Sequence, residues 1–144
     1  EMSASLVGSE MCIRDRCIAY KRDIVEADER ESGCRKFLNL GHTVGHAVEL
    51  LSGFTESHGA CVAKGLSFAA ELSEKLGILE SGREEIRSLL SSFDLSVPYL
   101  KRDLIAAIAH DKKADGESVE FVLLREIGAP VLVKKRLDEW EKLL

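Results

Sequence analysis

The sequence predicts a mainly α-helical domain that carries a small β-hairpin. Apolar residues recur at helical spacing over most of residues 17–113. After Gly116 the spacing changes, since residues 118–133, SVEFVLLREIGAPVLV, form two short apolar runs around the turn residues Ile127 and Gly128. No internal repeat and no low-complexity linker interrupts the pattern, so residues 17–144 are expected to form one domain.

The first sixteen residues, EMSASLVGSEMCIRDR, show neither a helical nor a strand period. They resemble a string that arises when sequencing adapter is translated. We therefore expect residues 1–16 to be an extraneous leader and the first helix to begin at Cys17.

The first predicted helix has one apolar arc and ends at the acidic run EADERES. Lys21 falls inside this arc, and two interpretations are open. Its stem can pack while its amine reaches water, or it can lie in a half-buried cleft where desolvation tunes the amine for binding anions or transferring protons. The arc consists of Cys17, Ile18, Ile24 and Val25.

Capping and turn residues predict the remaining helices. Ser57 is a suitable N-cap, and Gly53 and Gly77 are suitable helix ends. In the helix before Pro98, the residues Ile86, Leu89, Leu90 and Phe93 are expected to face inward. The predicted helices cover residues 39–52, 57–77, 81–93, 100–113 and 136–144.

Composition excludes several classes of function. The chain has 144 residues, of which 45% are hydrophobic and 31% charged, and its net charge is -5. Scattered basic residues on an acidic chain argue against nucleic acid as a partner, and the sequence contains neither a membrane-length apolar run nor a signal-peptide pattern. Four cysteines without a C-x-x-C pair indicate reduced thiols. We expect a soluble cytoplasmic protein.

The segment NLGHTVGHAVEL, residues 39–50, combines a packing face with a polar face. On a helical wheel, Asn39, His42, His46 and Glu49 share about 80° of arc, with Arg35 beside them if the helix extends back. An apolar arc of about 100° lies apart from them. Glycines at 41 and 45 each weaken a helix by about 1 kcal/mol, which indicates that another group approaches the backbone closely.

The histidine spacing allows a metal site. His42 and His46 lie four residues apart, so both imidazoles can reach one ion, and His58 is the natural third nitrogen ligand if the next helix folds back. Ordinary surface histidines remain the alternative. Thr43 stands where a zinc protease has glutamate, so that class is disfavoured.

Residues 17–144 resemble the C-terminal domain of the 3-dehydroquinate synthase family. The string LN-x-GHT-x-GHA-x-E with a following HG carries the resemblance, supported by HDKK and GESVEFVLL further on. Like glycerol dehydrogenases, these enzymes pair an N-terminal NAD-binding α/β domain, absent from this sequence, with a helical metal- and substrate-binding domain.

The resemblance implies a NAD- and metal-dependent carbon–oxygen lyase with Zn2+ or Co2+. The intact enzyme would be a homodimer that converts 3-deoxy-D-arabino-heptulosonate 7-phosphate, a small sugar phosphate, into 3-dehydroquinate and phosphate. This reaction belongs to the shikimate route to chorismate and the aromatic amino acids. It proceeds by transient oxidation, phosphate loss, re-reduction, ring opening and aldol closure.

The resemblance also implies roles for particular residues. His42 and His58 would be metal ligands, with a glutamate from an earlier segment as the third, and His46 would lie beside the substrate in proton transfer. This differs from the spacing argument, which treated the pair at 42 and 46 alike.

Further implied site residues carry charge or polar groups. Lys21, Arg35 and Asn39 would bind the phosphate, carboxylate or hydroxyls of the substrate, with Glu31 near them. One lysine of Lys112 and Lys113 would contact phosphate or carboxylate; without the resemblance both would be taken as solvated charges at a helix end.

The sequence departs from the family at three positions and at its front. Ala60 replaces a glutamate, which removes a carboxylate close to the metal, while Lys64 and Leu66 replace an aliphatic residue and a methionine. Without the NAD domain we expect the chain alone to be inactive and to bind zinc weakly. Alternatives are another sugar phosphate cyclase and a non-catalytic helical module.

Overall fold

The structure, a computed structural model, describes the backbone of residues 2–111 and 118–143 and the side chains of residues 11–110 and 118–143. It divides into two compact units, Glu1–Leu38 and Asn39–Leu144. The boundary between the two units falls after Leu38, and the predicted division after residue 16 stays a prediction.

The first unit is built on one long helix. Helix α1, Met2–Ala27, runs through residue 16 without a break, so the predicted start at Cys17 was wrong. No proline interrupts the backbone hydrogen bonds in this stretch, which lets the helix continue. The foreign origin of residues 1–16 stays a prediction. Lys21 is exposed, and Ile18 is 66% exposed, whereas Ile24 is half-buried.

The second unit confirms the mainly helical fold with a hairpin. A short 3-10 helix, Cys34–Asn39, ends at the first residue of this unit. Strands β1 and β2 pair antiparallel around the predicted turn, with Val119 opposite Lys135 and Leu123 opposite Val131. The elements are α2 His42–Leu51, α3 His58–Lys75, α4 Arg83–Leu90, α5 Lys101–Asp111, β1 Ser118–Glu126, β2 Ala129–Arg136 and α6 Leu137–Leu143.

The core of this unit lies between α2, α3, α5 and the inner face of β1. Trp140 of α6 is fully buried, its ring lies 4.5 Å from that of Phe121, and its indole N–H donates to the Val119 carbonyl at 2.9 Å. Ser73 ties α3 to the hairpin, because its hydroxyl donates to the Ala69 carbonyl and accepts from the Leu124 N–H. These contacts fix the hairpin against the helices that carry the histidines.

Helix α4 differs from the prediction. It ends at Leu90, which is buried, and Ile86 one turn earlier is partly buried. Leu89 is 71% exposed and Phe93 is 47% exposed, so the expectation that both face inward was wrong. Residues 86 and 90 share a face at four-residue spacing, whereas Leu89 points about 100° away from Leu90 and Phe93 lies beyond the helix.

Among the described residues, no helix is both long and apolar enough to cross a membrane.

Candidate metal centre

The polar stripe predicted on residues 39–50 begins later than the helical wheel assumed. Helix α2 starts at His42, Gly41 has a left-handed φ of 78°, and Asn39 belongs to the 3-10 helix. A wheel at 100° per residue applies only within one α-helix. Asn39 and Arg35 therefore do not continue the stripe, which consists of His42, His46 and Glu49.

Three glycines let α2 and α3 touch backbone to backbone. A Cβ atom on Gly65 would lie 1.8 Å from the Gly41 carbonyl oxygen and 2.9 Å from the Gly45 nitrogen. A Cβ on Gly45 would lie 3.1 Å from the Cys61 oxygen. The expectation that the glycines of this segment accommodate a close approach is thus confirmed, and the group that approaches is helix α3. This contact holds the start of α3 beside α2.

The close contact brings three imidazole rings together. The ring centroids of His42 and His46 are 5.5 Å apart, those of His42 and His58 are 5.5 Å apart, and those of His46 and His58 are 5.8 Å apart. His58 is the first residue of α3, where the predicted N-cap Ser57 accepts a hydrogen bond from the Ala60 N–H. The cap fixes where α3 begins and so where the third ring lies.

Two of these rings have their Nδ1 atoms held by oxygen. The Nδ1 of His42 lies 3.1 Å from the Leu40 carbonyl oxygen. The Nδ1 of His58 lies 3.4 Å from Oε2 of Glu49. Carbonyl and ionised carboxylate oxygens accept hydrogen bonds but cannot donate them. Both contacts are therefore hydrogen bonds only if Nδ1 carries the proton. In the neutral form, each ring then presents an unprotonated Nε2, which can bind a metal ion.

The geometry offers two overlapping ligand sets. Among the described residues, His46, Glu49 and His58 form a group whose ligand atoms all lie within 4.8 Å of one another. The resemblance to the synthase family instead implies His42 and His58, with His46 at the substrate. His58 belongs to both sets, and the choice between them stays a prediction.

The surroundings of the histidines include a buried lysine in an ion pair and a buried thiol. Lys64, only 5% exposed, forms a salt bridge with Glu56. Burial raises the pKa of the Cys61 thiol, and the negative charges of Glu56 and Glu49 raise it further. Cys61 therefore remains a neutral thiol, inside the core and away from thiolate metal chemistry.

Three further predicted site residues lie in the first unit. Arg35 follows a loop that is closed by the carboxylate of Asp28, which accepts from the backbone N–H groups of Ser32, Gly33 and Arg35. The Gly33 N–H is the main reason why the pKa of Asp28 lies below its usual range. The guanidinium of Arg35 donates to the Glu29 carbonyl at 2.8 Å.

The other predicted residues of this unit are near Arg35 or on α1. Glu31, with a left-handed φ of 55°, places its carboxylate 4.0 Å from the Arg35 side chain. Lys21 is exposed on α1. Lys112 and Lys113 lie outside the described residues. The structure thus brings His42, His46 and His58 together, and the substrate roles of Lys21, Glu31, Arg35 and Asn39 stay predictions.

Sequence reasoning assigned no partner to Glu49 and missed the pair between Glu56 and Lys64. A signal for the second was available, because Lys64 stands between Ala63 and Gly65 in a run of small residues. A lysine at a packed position needs a counter-charge nearby. No comparable signal indicated that Glu49 would lie next to His58, since that contact depends on how α3 folds back.

Two solved structures share this fold. One is a 2-deoxy-scyllo-inosose synthase complexed with carbaglucose-6-phosphate, NAD+ and Co2+. The match covers 90% of this chain and 38% of that protein, with a TM-score of 0.75 and 23% sequence identity. The other is ValA (2-epi-5-epi-valiolone synthase) from Streptomyces hygroscopicus subsp. jinggangensis 5008 with NAD+ and Zn2+ bound. The match covers 94% of this chain and 39% of that protein, with a TM-score of 0.75 and 22% sequence identity. The chain therefore has a fold found in part of both synthases.

The family follows from sequence comparison. Residues 8–114 match the family described as 3-dehydroquinate synthase C-terminal, a match that begins inside the segment predicted to be a leader. The chain is also 48% identical over 113 residues to a 3-dehydroquinate synthase of Pyrococcus abyssi (strain GE5 / Orsay), covering 77% of this chain and 33% of that protein. The chain belongs to the 3-dehydroquinate synthase C-terminal family. It spans about a third of the length of the curated relatives it matches.

Proposed function

We propose that this chain is the metal- and substrate-binding part of a 3-dehydroquinate synthase. In the intact enzyme it would help to convert 3-deoxy-D-arabino-heptulosonate 7-phosphate into 3-dehydroquinate and phosphate. The observation that carries the proposal is the cluster of three imidazoles, with ring centroids no more than 5.8 Å apart, on the two helices of the family's GHT-x-GHA and HG sequences.

His42 and His58 are proposed to hold the metal through Nε2. Their Nδ1 contacts with Leu40 and Glu49 support this assignment, because in the neutral rings a proton on Nδ1 leaves Nε2 free to bind a metal ion. A Zn2+ or Co2+ ion supplies Lewis-acid polarisation of a substrate hydroxyl and of the carbonyl made from it. Two imidazoles, together with the glutamate that the resemblance implies on an earlier segment, form a donor set that fits either ion.

His46 is proposed to transfer protons at the substrate. Its side chain is exposed at the edge of the cluster, as a residue that meets a diffusing ligand must be. Imidazole suits the role because one ring nitrogen can donate a proton while the other accepts one.

Arg35, Lys21 and Asn39 are proposed to orient the substrate's phosphate, carboxylate and hydroxyls, with Glu31 beside Arg35. A guanidinium suits planar anions because it donates two parallel hydrogen bonds. Redox chemistry is assigned to NAD, held by a part of the enzyme outside this chain. The NAD+, Co2+, Zn2+ and carbaglucose-6-phosphate of the two similar structures support this choice of cofactors and of a sugar phosphate substrate.

The proposal is tested by replacing the corresponding third of the Pyrococcus abyssi enzyme with residues 17–144 of this chain. With NAD and Zn2+, the chimera should form 3-dehydroquinate and phosphate, whereas the 144-residue chain alone should form none. His42→Asn and His58→Asn should each lower zinc content and turnover. His46→Asn should lower turnover and keep the zinc, and Glu71→Ala, an exposed position on α3, should change neither.

The outcome also separates the competing functions. A chimera that folds, binds zinc and yields a different cyclic product would assign the chain to another sugar phosphate cyclase. A chimera that folds but neither binds zinc nor turns over any sugar phosphate would favour a non-catalytic helical module. Turnover by the isolated 144-residue chain would contradict the expectation that it needs the NAD-binding part.

A further inference from the structure

We infer that Glu49 is a positioning residue that fixes the tautomer and the orientation of His58 for metal binding. The inference rests on the proposed function in assuming that His58 is a ligand. The observation behind it is the 3.4 Å contact between Oε2 of Glu49 and Nδ1 of His58. Glu49 lies on α2 and His58 opens α3, so the contact links the two helices that carry the metal centre.

The burial of the two side chains suits this division of roles. The Glu49 side chain is 21% exposed, so its surroundings restrict it, whereas the His58 side chain is 53% exposed. The His58 ring lies beside the rings of His42 and His46, but because it is more than half exposed, packing restricts its rotamer only in part. A hydrogen bond to a carboxylate on the neighbouring helix therefore provides the orientation that packing does not.

Glu49 also supplies a hydrogen-bond acceptor that the residue at position 60 cannot provide. Ala60, two residues after His58, has no polar atom in its side chain. An alanine side chain offers no acceptor to an imidazole N–H. Among the described residues, Glu49 is the carboxylate found in hydrogen-bond contact with His58, and a ligand imidazole almost always donates its second N–H to an oxygen.

Direct ligation by Glu49 is the competing interpretation, because its carboxylate lies within 4.8 Å of ligand atoms of His46 and His58. The Nδ1 contact favours positioning. If Nδ1 of His58 donates to Oε2, that oxygen already accepts a hydrogen bond and Nε2 points away from Glu49 across the ring. A metal on Nε2 is then bound on the side of the ring opposite the carboxylate.

The test uses the 144-residue chain with Zn2+ and Co2+. Affinity is measured by competition with a chromophoric chelator for the wild type, Glu49→Ala, Glu49→Gln and the control Glu71→Ala. We expect Glu49→Ala to weaken binding by about 10- to 100-fold, in the range found when outer partners of metal ligands are removed. Glu49→Gln should weaken it less, since the amide oxygen still accepts from Nδ1, and Glu71→Ala should bind as the wild type does.

A second measurement needs no metal. Imidazole nitrogen shifts of the metal-free chain, recorded at alkaline pH, report which nitrogen of His58 is protonated. The wild type and Glu49→Gln should show the Nδ1–H form, and Glu49→Ala should relax towards the mixture of tautomers of free imidazole. A variant that only loosened the fold would alter the circular dichroism melt as well.

The results that overturn the inference differ from those that overturn the proposed function. Equal affinity in Glu49→Ala and the wild type, or an unchanged His58 tautomer, contradicts positioning. A change in the intensity of the Co2+ absorption bands that indicates a lost ligand would make Glu49 a ligand instead. If neither the 144-residue chain nor the chimeric enzyme binds either ion, the proposed metal site is wrong and the inference falls with it.

Discussion

Replacing Gly65 with alanine should separate α2 from α3 and disturb the histidine cluster. The new Cβ would lie 1.8 Å from the Gly41 carbonyl oxygen, whereas an ordinary contact is at least 3.4 Å. The difference requires about 1.6 Å of movement. The three nearest atoms all belong to backbone, namely the carbon and oxygen of Gly41 and the nitrogen of Gly45, so rotating a side chain cannot relieve the clash.

The magnitude follows from three opposing effects. Overpacking costs typically about 1–3 kcal/mol, and a clash with backbone belongs at the upper end of that range. The Gly41 oxygen also accepts the hydrogen bond from the Gly45 N–H at 2.9 Å, whose loss adds about 1 kcal/mol. Alanine in a helix returns about 1 kcal/mol relative to glycine. The free energy of unfolding should therefore fall by about 2–3 kcal/mol.

Urea unfolding followed by circular dichroism measures this loss, and chelator competition measures the accompanying loss of zinc affinity. Gly59→Ala is the matched control, since it lies in the same helix and a Cβ there meets no atom within 4 Å. Alanine at 59 should leave stability equal or raise it by up to about 1 kcal/mol. If Gly65→Ala were as stable as Gly59→Ala and bound zinc as the wild type does, the argument from helix contact would be refuted.

Two other predictions concern charges. Glu56→Gln removes the salt-bridge partner of the buried Lys64 ammonium and should cost about 3 kcal/mol in urea unfolding. Lys64→Met, alone or combined with Glu56→Gln, should cost less than about 1 kcal/mol, and a larger loss for Lys64→Met would contradict the reasoning. Because the folded pKa of Asp28 lies below its unfolded value, the stability that it gives its loop is present above the unfolded pKa of about 4 and is lost as pH falls through the folded pKa. The amide signals of Gly33 and Arg35 should therefore shift below about pH 4 in the wild type and show no such titration in Asp28→Asn.

Sequence patterns predicted the second unit well because its signals are local. The hairpin followed from two apolar runs and a turn at Ile127 and Gly128, and the start of α3 from the N-cap Ser57. The failures came where a neighbouring element decides. Leu89 has the right residue type for a core, but the short α4 turns only the face of Ile86 and Leu90 inward.

The same distinction applies to the candidate site. Spacing alone paired His42 with His46, and it identified His58 only by assuming that the next helix folds back. The three rings do come together, but the sequence pattern could not predict which groups orient two of them. The Leu40 carbonyl meets His42 because Gly41 turns the chain at the start of α2, and Glu49 meets His58 because α3 lies against α2.

The imidazole cluster is consequently a property of the unit Asn39–Leu144. Its spacing is set by glycine contacts between α2 and α3, and the Nδ1 atoms of His42 and His58 are held by oxygens of the same unit. Arg35 and its Asp28-closed loop belong to the other unit and are organised by their own hydrogen bonds. Metal affinity and substrate affinity should therefore separate in mutants: Gly65→Ala should weaken zinc binding first, and Asp28→Asn should weaken sugar phosphate binding in the chimeric enzyme while leaving its zinc affinity intact.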